Sequence, residues 1–374
     1  MSWPLLLALA VALLVANFVY LIWYFRWEAR QTTGLAYFGR TSSDRRALKR
    51  RIRLYSLPAL PLARLLSPLA RRQPGLPSFV FEGVAGPVKA SSPEVFSKAK
   101  QYQPGPEDVF VATQMRCGTT WMQQVVHQIV TRGCGEFRDD GFRHLYAISP
   151  WIDAVNSVSM EAAPLVGSPP VRIIKTHLPV ELCPYAASAK YIYVARHPVS
   201  CFASIVDFNQ SMVGPFLPPT SVLADWYCSD RMYWLPWPRH VDGWWRWAET
   251  RPNVLFVHFE EMTRQFDVVL DRVAAFLGYS LTPAERAAVT ERCSFKFMKA
   301  HEEFFEMAPP TMFSVAGGQF LASGKERRHE DVTPEIRDRI LKYTSEALAG
   351  GTYPVGQFYS DVAAPAHADR VGQR

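Results

Sequence analysis

The run Asp108–Val130, DVFVATQMRCGTTWMQQVVHQIV, leaves few choices of fold. Val109, Phe110, Val111 and Ala112 form an unbroken apolar stretch, which predicts a buried strand over Asp108–Thr113. Gln114–Gly118 turns the chain. From about Thr119, apolar Trp121, Met122, Val125, Val126 and Ile129 recur at spacings of three and four, the period of a helix packed along one side. A buried strand, a turn holding one glycine and a Thr-Thr helix start make an anion cradle. Free backbone N–H groups and the positive end of the helix dipole converge there, and the threonine hydroxyls and Arg116 add donors.

The same unit recurs downstream. A strand over Val171–Lys175 ends in Lys175-Thr176-His177-Leu178-Pro179, and one over Lys190–Ala195 runs into Arg196-His197-Pro198 and a helical segment through Phe208. A fourth, Asn253–His258, leads into a helix from about Glu260 to Leu277. Thr282–Arg292 and Thr333–Leu348 are further helices, the latter opened by Thr-Pro-Glu. Strands followed by polar turns imply an α/β fold: a parallel sheet with a P-loop-like turn and flanking helices, its functional residues at the strands' C-terminal ends. A chain of 374 residues suits one sizeable domain of this kind plus extras. We expect that domain over 77–360, with the Ala-rich tail from Asp361 disordered.

The extras lie at the N-terminus. Leu5–Phe25 is uncharged, long enough to cross a hydrocarbon core as a helix, and flanked by Trp3, Trp23, Tyr24 and Trp27. It lacks the basic lead and small-x-small site of a cleaved signal peptide, so residues 1–27 are expected to be a retained transmembrane anchor. From Arg26 to Arg72 there are twelve Lys or Arg against Glu28 and Asp44. That local +10 exceeds the +7 of the whole chain, so the remainder is slightly acidic and nucleic acid is not an expected partner. Positive charge after the span places the C-terminal bulk in the cytoplasm; the alternative is a Golgi-type lumenal protein. Residues 28–76 are expected to be a basic linker. Pro58, Pro61 and Pro68 argue against a long helix there, and its interleaved leucines favour a segment lying on an anionic leaflet over a solvated one.

Six motifs together resemble a known family. The stretch from about Phe79 to Gly350 looks like a cytosolic-type sulfotransferase, which transfers sulfuryl from 3′-phosphoadenosine 5′-phosphosulfate (PAPS). TQMRCGTTW at 113–121 is similar to the family's 5′-phosphosulfate loop T-Y-P-K-S-G-T-T-W. KTHLP at 175–179 resembles the block carrying its catalytic histidine, and RHPVSCFAS at 196–204 the 3′-phosphate block. HVDGWW at 240–245, FEEM at 259–262 and SFKFMK at 294–299 also match, in the family's order.

The resemblance implies PAPS as co-substrate, no metal, and a small-molecule or lipid hydroxyl as acceptor. It implies His177 as the base, with Lys175 and Arg116 stabilising charge on the sulfuryl and bridging oxygen. Arg116, Cys117, Gly118, Thr119 and Thr120 would form the 5′-phosphate loop, and Arg196 and Ser204 would take the 3′-phosphate. Trp121 and Phe295 would sandwich adenine, with Phe259 where tyrosine is usual. The chemistry suits these residue types: an imidazole titrates near neutrality and can take a hydroxyl proton, and cations hold the charge that develops in transfer. The chain departs from the pattern at Arg116, where lysine is usual, and at Cys117, where serine is. The C-terminal phosphate motif is reduced to Gly318–His329, GQFLASGKERRH, with Lys325 as its candidate ligand.

Other readings are available for most of these residues. His127, His144, His301 and His367 read as structural histidines, and the six scattered cysteines, with no C-x-x-C pair, as core or loop thiols rather than a zinc site. Six of the eleven tryptophans fall within 226–247; they are core on one reading and acceptor-pocket wall on the other. A P-loop kinase would require G-x-x-x-x-G-K-[ST], which TQMRCGTT does not supply. An inactive nucleotide- or lipid-binding scaffold is the remaining alternative. No K-x-x-x-T-V-x-x-x-E dimer motif occurs in the sequence, which leaves the oligomeric state open.

Overall fold

Four parallel strands carry the catalytic half of the chain in a computed structural model that describes residues 2–88, 90–155, 157–313 and 329–363. They are β1 (Asp108–Thr113), β2 (Arg172–Thr176), β3 (Lys190–Ala195) and β4 (Val254–His258), in the spatial order β2-β1-β3-β4. The first strand in sequence is therefore flanked by the second on one side and the third on the other. A parallel sheet wound outward in both directions leaves a crevice at the strands' C-terminal ends, where the crossovers part. In register, Ala112 pairs with Thr176, Thr113 with Val194 and Ala195 with His258. Every expected functional turn thus leaves the same edge of the sheet.

Period-2 alternation divides the strand residues between two cores. Phe110, Ala112, Ile174, Tyr191, Tyr193 and Ala195 face one cluster, together with Phe202, Ile205, Val241 and Trp244 from the helices Pro198–Val213 and Trp237–Thr250. Val109, Val111, Ile173, Ile192, Val194 and Val257 face the other, closed by Met122, Val125, Val126 and Ile129 of the cradle helix Thr119–Val130. Both faces are covered, which is why the strands read as continuous apolar runs.

Other elements differ from expectation in instructive ways. The helix expected over Glu260–Leu277 breaks at Gln265 into Phe259–Arg264 and Phe266–Leu277. Ser360–Ala363 is helical, Val362 is buried, and Asp361 Oδ1 lies 3.1 Å from His197 Nε2; the rest of the expected disordered tail lies outside the described residues. Two apolar rings nearby, Tyr359 against His197 and Phe358 against His258, show why the chain stays docked there.

The N-terminal region is helical throughout. Helix α1 (Trp3–Thr32) is long and apolar enough to cross a membrane, and α2 (Leu35–Phe38), α3 (Ser42–Ser56) and α4 (Leu60–Ala70) follow. Pro61 falls in the first turn of α4, where no intrahelical N–H is needed, and Pro68 in its last turns. The prolines therefore set the ends of two helices rather than abolish helicity. These helices pack on the α/β domain. Tyr37 donates to Glu306 Oε2 at 2.7 Å, Lys49 pairs with the same carboxylate, and buried Arg45 donates to the carbonyls of Arg40 and Arg143. Tyr37, Phe38, Leu48 and Ile52 form one buried cluster with Tyr146 of the catalytic half.

Candidate active site

The loop after β1 is held in a conformation that side chains seldom adopt. Arg116 has φ of 64° and Gly118, the N-cap of the cradle helix, of 102°. A Cβ on Gly118 would stand 2.7 Å from Phe259 Cδ2, so only glycine lets this backbone lie against that ring. Thr119 is tied to Thr113 through their hydroxyls at 2.7 Å. The Cys117 and Cys201 thiols touch at 3.1 Å, both free and buried, and burial pushes the Cys117 thiol well above its ordinary range.

Two cations meet at one end of this loop. Arg116 Nε donates to Ser204 Oγ at 3.1 Å, and its guanidinium lies over Phe208 at 5.1 Å and against Met307 Sδ. Arg196 donates to the Arg116 carbonyl at 3.2 Å and stacks on Phe259 at 4.3 Å. Arg116, Arg196 and Ser204 thus converge, as a site for a doubly charged anion requires. Trp121 donates from Nε1 to the Cys293 carbonyl at 2.8 Å. Its ring stacks on Phe266 at 5.7 Å and meets Phe259 edge-on, while Phe295 stands exposed at the start of its helix. Lys325 falls outside the described residues.

At the other end lie Lys175 and His177. His177 Nδ1–H donates to the Thr113 carbonyl at 2.8 Å, which leaves the Nε2 lone pair as the basic position. Its own backbone is pinned on both sides: its N–H donates to Asp153 Oδ1 and its carbonyl accepts from His240 Nε2 at 2.9 Å. The ring sits between Trp151, edge-on at 5.2 Å, and Trp234 at 4.9 Å. Burial, reinforced by the neighbouring Lys175 charge, holds the imidazole well below its usual range, so it is neutral and can accept a proton. Lys175 Nζ lies 3.5 Å from the centre of the Trp151 ring and donates to Tyr146 Oη at 2.9 Å. Burial pushes this lysine down to about 7 against the opposing pull of Asp153. Arg116 is close enough that its charge depresses both groups further.

Four contributors were not singled out in the sequence. Asp153 holds the turn after β2, accepting from Thr176 Oγ1 at 2.8 Å and Trp151 Nε1 at 3.0 Å. Tyr146 and Trp151 embrace the lysine. Gln114 donates from Nε2 to the carbonyls of Tyr233 and Leu235, each at 2.7 Å, while its Oε1 accepts from Met115 N–H. Between those carbonyls Trp234 and Leu235 both take left-handed φ, 57° and 75°, and the clamp presents Trp234 to His177. Two consecutive non-glycine residues in that region persist only where the surroundings over-determine them. Of the six clustered tryptophans, Trp226, Trp234, Trp237 and Trp244 are buried in one core, and Trp234 also meets the His177 ring. Among the described residues no group of three or more His, Cys, Asp or Glu gathers to hold a metal.

A parallel sheet thus brings Arg116, Lys175, His177 and Arg196 to the C-terminal ends of its strands. The model of the sulfotransferase domain matches residues 106–352, and the chain belongs to that family. It is 26% identical over 254 residues to cytosolic sulfotransferase 1 of Danio rerio, covering 66% of this chain and 83% of that one. It is 26% identical over 249 residues to the 3-alpha-hydroxysteroid sulfotransferase of Cavia porcellus, covering 65% and 84%. Among solved structures it resembles mouse sulfotransferase SULT7A1 complexed with PAP, at TM-score 0.59 and 20% identity, over 76% of this chain and 98% of that one. Retinol dehydratase in complex with androsterone and inactive cofactor PAP follows at 0.54 and 19%, over 70% and 87%.

Proposed function

We propose that this sulfotransferase uses PAPS and delivers its sulfuryl group to the hydroxyl of an apolar or amphipathic acceptor by in-line displacement, with His177 as base. The observation that carries the reading is the tautomer of His177: Nδ1–H is committed to the Thr113 carbonyl, so Nε2 keeps its lone pair, on a ring packed by Trp151 and Trp234. An acceptor hydroxyl reaching Nε2 loses its proton to it as its oxygen attacks sulfur and the bond to the bridging phosphate oxygen breaks. Lys175, two residues away, is placed to hold charge on that oxygen, and Arg116 bridges between it and the Arg196–Ser204 end. Arg196 and Ser204 take the 3′-phosphate. Gly118, Thr119, Thr120 and the Cys117 backbone take the 5′-phosphate, while Phe259 and the free face of Trp121 meet adenine, with Phe295 able to close from solvent. The donor set fits a polyanion without a metal.

The acceptor class follows from the aromatic wall and from α1. Trp151 and Trp234 surround His177 with aromatic side chains, which suits a sterol, phenolic lipid or glycolipid headgroup. Relatives named for hydroxysteroids, and a neighbour solved with androsterone, support an apolar hydroxyl compound. On this reading residues 1–27 anchor the protein in a membrane, 28–76 form its juxtamembrane part and 77–360 the catalytic unit, facing the cytoplasm by the placement of charge.

The test is transfer of radiolabelled sulfate from PAPS to a membrane lipid extract by wild type and His177→Ala in parallel. A labelled lipid seen only with wild type supports base and acceptor together. Equal labelling by the variant removes His177 as base, and preferential labelling of water-soluble phenols removes the lipid acceptor. PAPS binding without any product supports the alternative of a binding-only relative.

A further inference from the structure

Helices α3 and α4 form a hairpin whose turn, Leu57-Pro58-Ala59, lies beside the middle of α1 rather than beneath it. Asn17 Nδ2 donates to the Pro58 carbonyl at 2.7 Å, and Tyr20 donates to the Tyr55 carbonyl at 2.8 Å. Leu21 and Tyr24 of α1 pack with Ala59, Leu62 and Ala63 of the hairpin. Asn17 precedes Phe25, the last residue of the apolar stretch, by eight positions, or about 12 Å along a helix. If α1 spans a membrane, the hairpin turn reaches that far into the hydrocarbon. The Pro58 carbonyl then supplies the partner that the Asn17 amide would otherwise lack there.

The outer surface of the hairpin suits such a position. Leu54, Leu57, Leu65 and Leu69 are 55–70% exposed, and Pro58 and Pro61 are exposed beside them. This apolar surface continues along α1 through exposed Leu13, Leu14 and Phe18. Arg53 and Arg64 flank the tip, and Arg50, Arg51, Arg71 and Arg72 stand farther back, all exposed. No acid occurs from Arg45 to Arg72. An apolar tip with a cationic collar complements a lipid leaflet bearing anionic headgroups, because arginine stems can lie along acyl chains while the guanidinium groups reach phosphate.

We infer that the α3–α4 hairpin inserts into the same leaflet as the base of α1 and seats the catalytic domain on an anionic membrane surface. The inference rests on the anchor reading and adds a second embedded element to it. The hairpin is fixed to the domain as well as to α1: Met312, Phe216 and Phe313 pack in the same cluster, and Lys49 is tied to Glu306. Insertion therefore sets the height and tilt of the whole domain.

The experiment uses the full chain, with exposed Cys134 replaced by serine, in phosphatidylcholine vesicles with and without phosphatidylglycerol. An environment-sensitive fluorophore is attached to a cysteine replacing Leu57, Leu65, Leu9 in α1, or Leu165. Leu165 is exposed near the start of β2, at the opposite end of the sheet. Spin-labelled acyl chains should quench the probes at 57, 65 and 9 several-fold more than the probe at 165. Quenching at 57 and 65 should strengthen when phosphatidylglycerol is added. Quenching at 9 but not at 57 and 65 would overturn the insertion while the anchor stands. Probes at 57 and 65 shielded from both lipid spin label and aqueous iodide would show a protein-covered hairpin and also overturn it. Absence of quenching at 9 would remove the anchor reading itself. Quenching indifferent to phosphatidylglycerol would remove the anionic part of the inference.

Discussion

Titrating the protein with adenosine 3′,5′-bisphosphate at pH 8 should draw close to one proton from the buffer for every site filled. The group responsible is Lys175. Its Nζ is buried against Trp151 and Tyr146, and loss of hydration brings its ammonium down to about 7, with Arg116 adding repulsion. At pH 8 a group of that pKa is only about one-tenth protonated. A phosphate entering contact is worth about 4 kcal/mol to the charged form at an effective dielectric near 20, roughly three pKa units. The lysine then becomes fully charged, and uptake is about 0.9 proton per site. The ligand's own phosphates are already ionised at this pH, so they add no uptake. Calorimetric titrations in buffers of different ionisation enthalpy give the number as a slope. A slope near zero for the wild type, or a slope unchanged in Lys175→Met, would refute the assignment. The sign also fixes the pH trend: uptake shrinks toward pH 6, where the lysine is already charged in the free protein.

Three substitutions probe the rest of the architecture. Gly118→Ala places a Cβ against Phe259 at a φ of 102°, at a cost of about 1–3 kcal/mol; bisphosphate affinity should fall at least tenfold, and wild-type affinity would contradict the close approach of ring and loop. Gln114→Ala removes two bonds to buried carbonyls and should lower stability by about 1–3 kcal/mol in denaturant. Its acceptor KM should rise more than its bisphosphate Kd, and equal effects on both would deny that the clamp serves Trp234. Phe38→Ala empties a ring site between His144 and Tyr146 and should cost about 3–5 kcal/mol; a kcat indistinguishable from wild type would show that Tyr146 holds Lys175 without help from α2.

The sheet was legible because its strands are buried on both faces and end in motifs. Lys175, His177, Arg196 and Gly118 could be named because their neighbours in sequence are also their neighbours in function. Asp153 and Gln114 could not: each is a lone polar residue in a loop, and its importance lies in reaching backbone that is distant along the chain. Trp121 was assigned to adenine with Phe295 by resemblance; its stacking on Phe266, the residue after the break at Gln265, had no signal in the sequence. That break is invisible to hydrophobic periodicity, which continues through it. The prolines of the hairpin were read as arguing against one long helix, and the chain does break at Leu57–Ala59, with Pro61 in the first turn of α4.

Tyr146 has one face in each half of the molecule. Its hydroxyl takes a hydrogen bond from Lys175, and its ring is packed by Tyr37, Phe38, Leu48 and Ile52. Trimming the chain before Ser78, an obvious place to cut for solubility, would strip the packing from the residue that steadies the lysine. The N-terminal helices are therefore not a detachable leash. A soluble catalytic fragment would be a different catalyst rather than the same one set free, and grafting this domain onto another tether would have to carry α2 and α3 along with it.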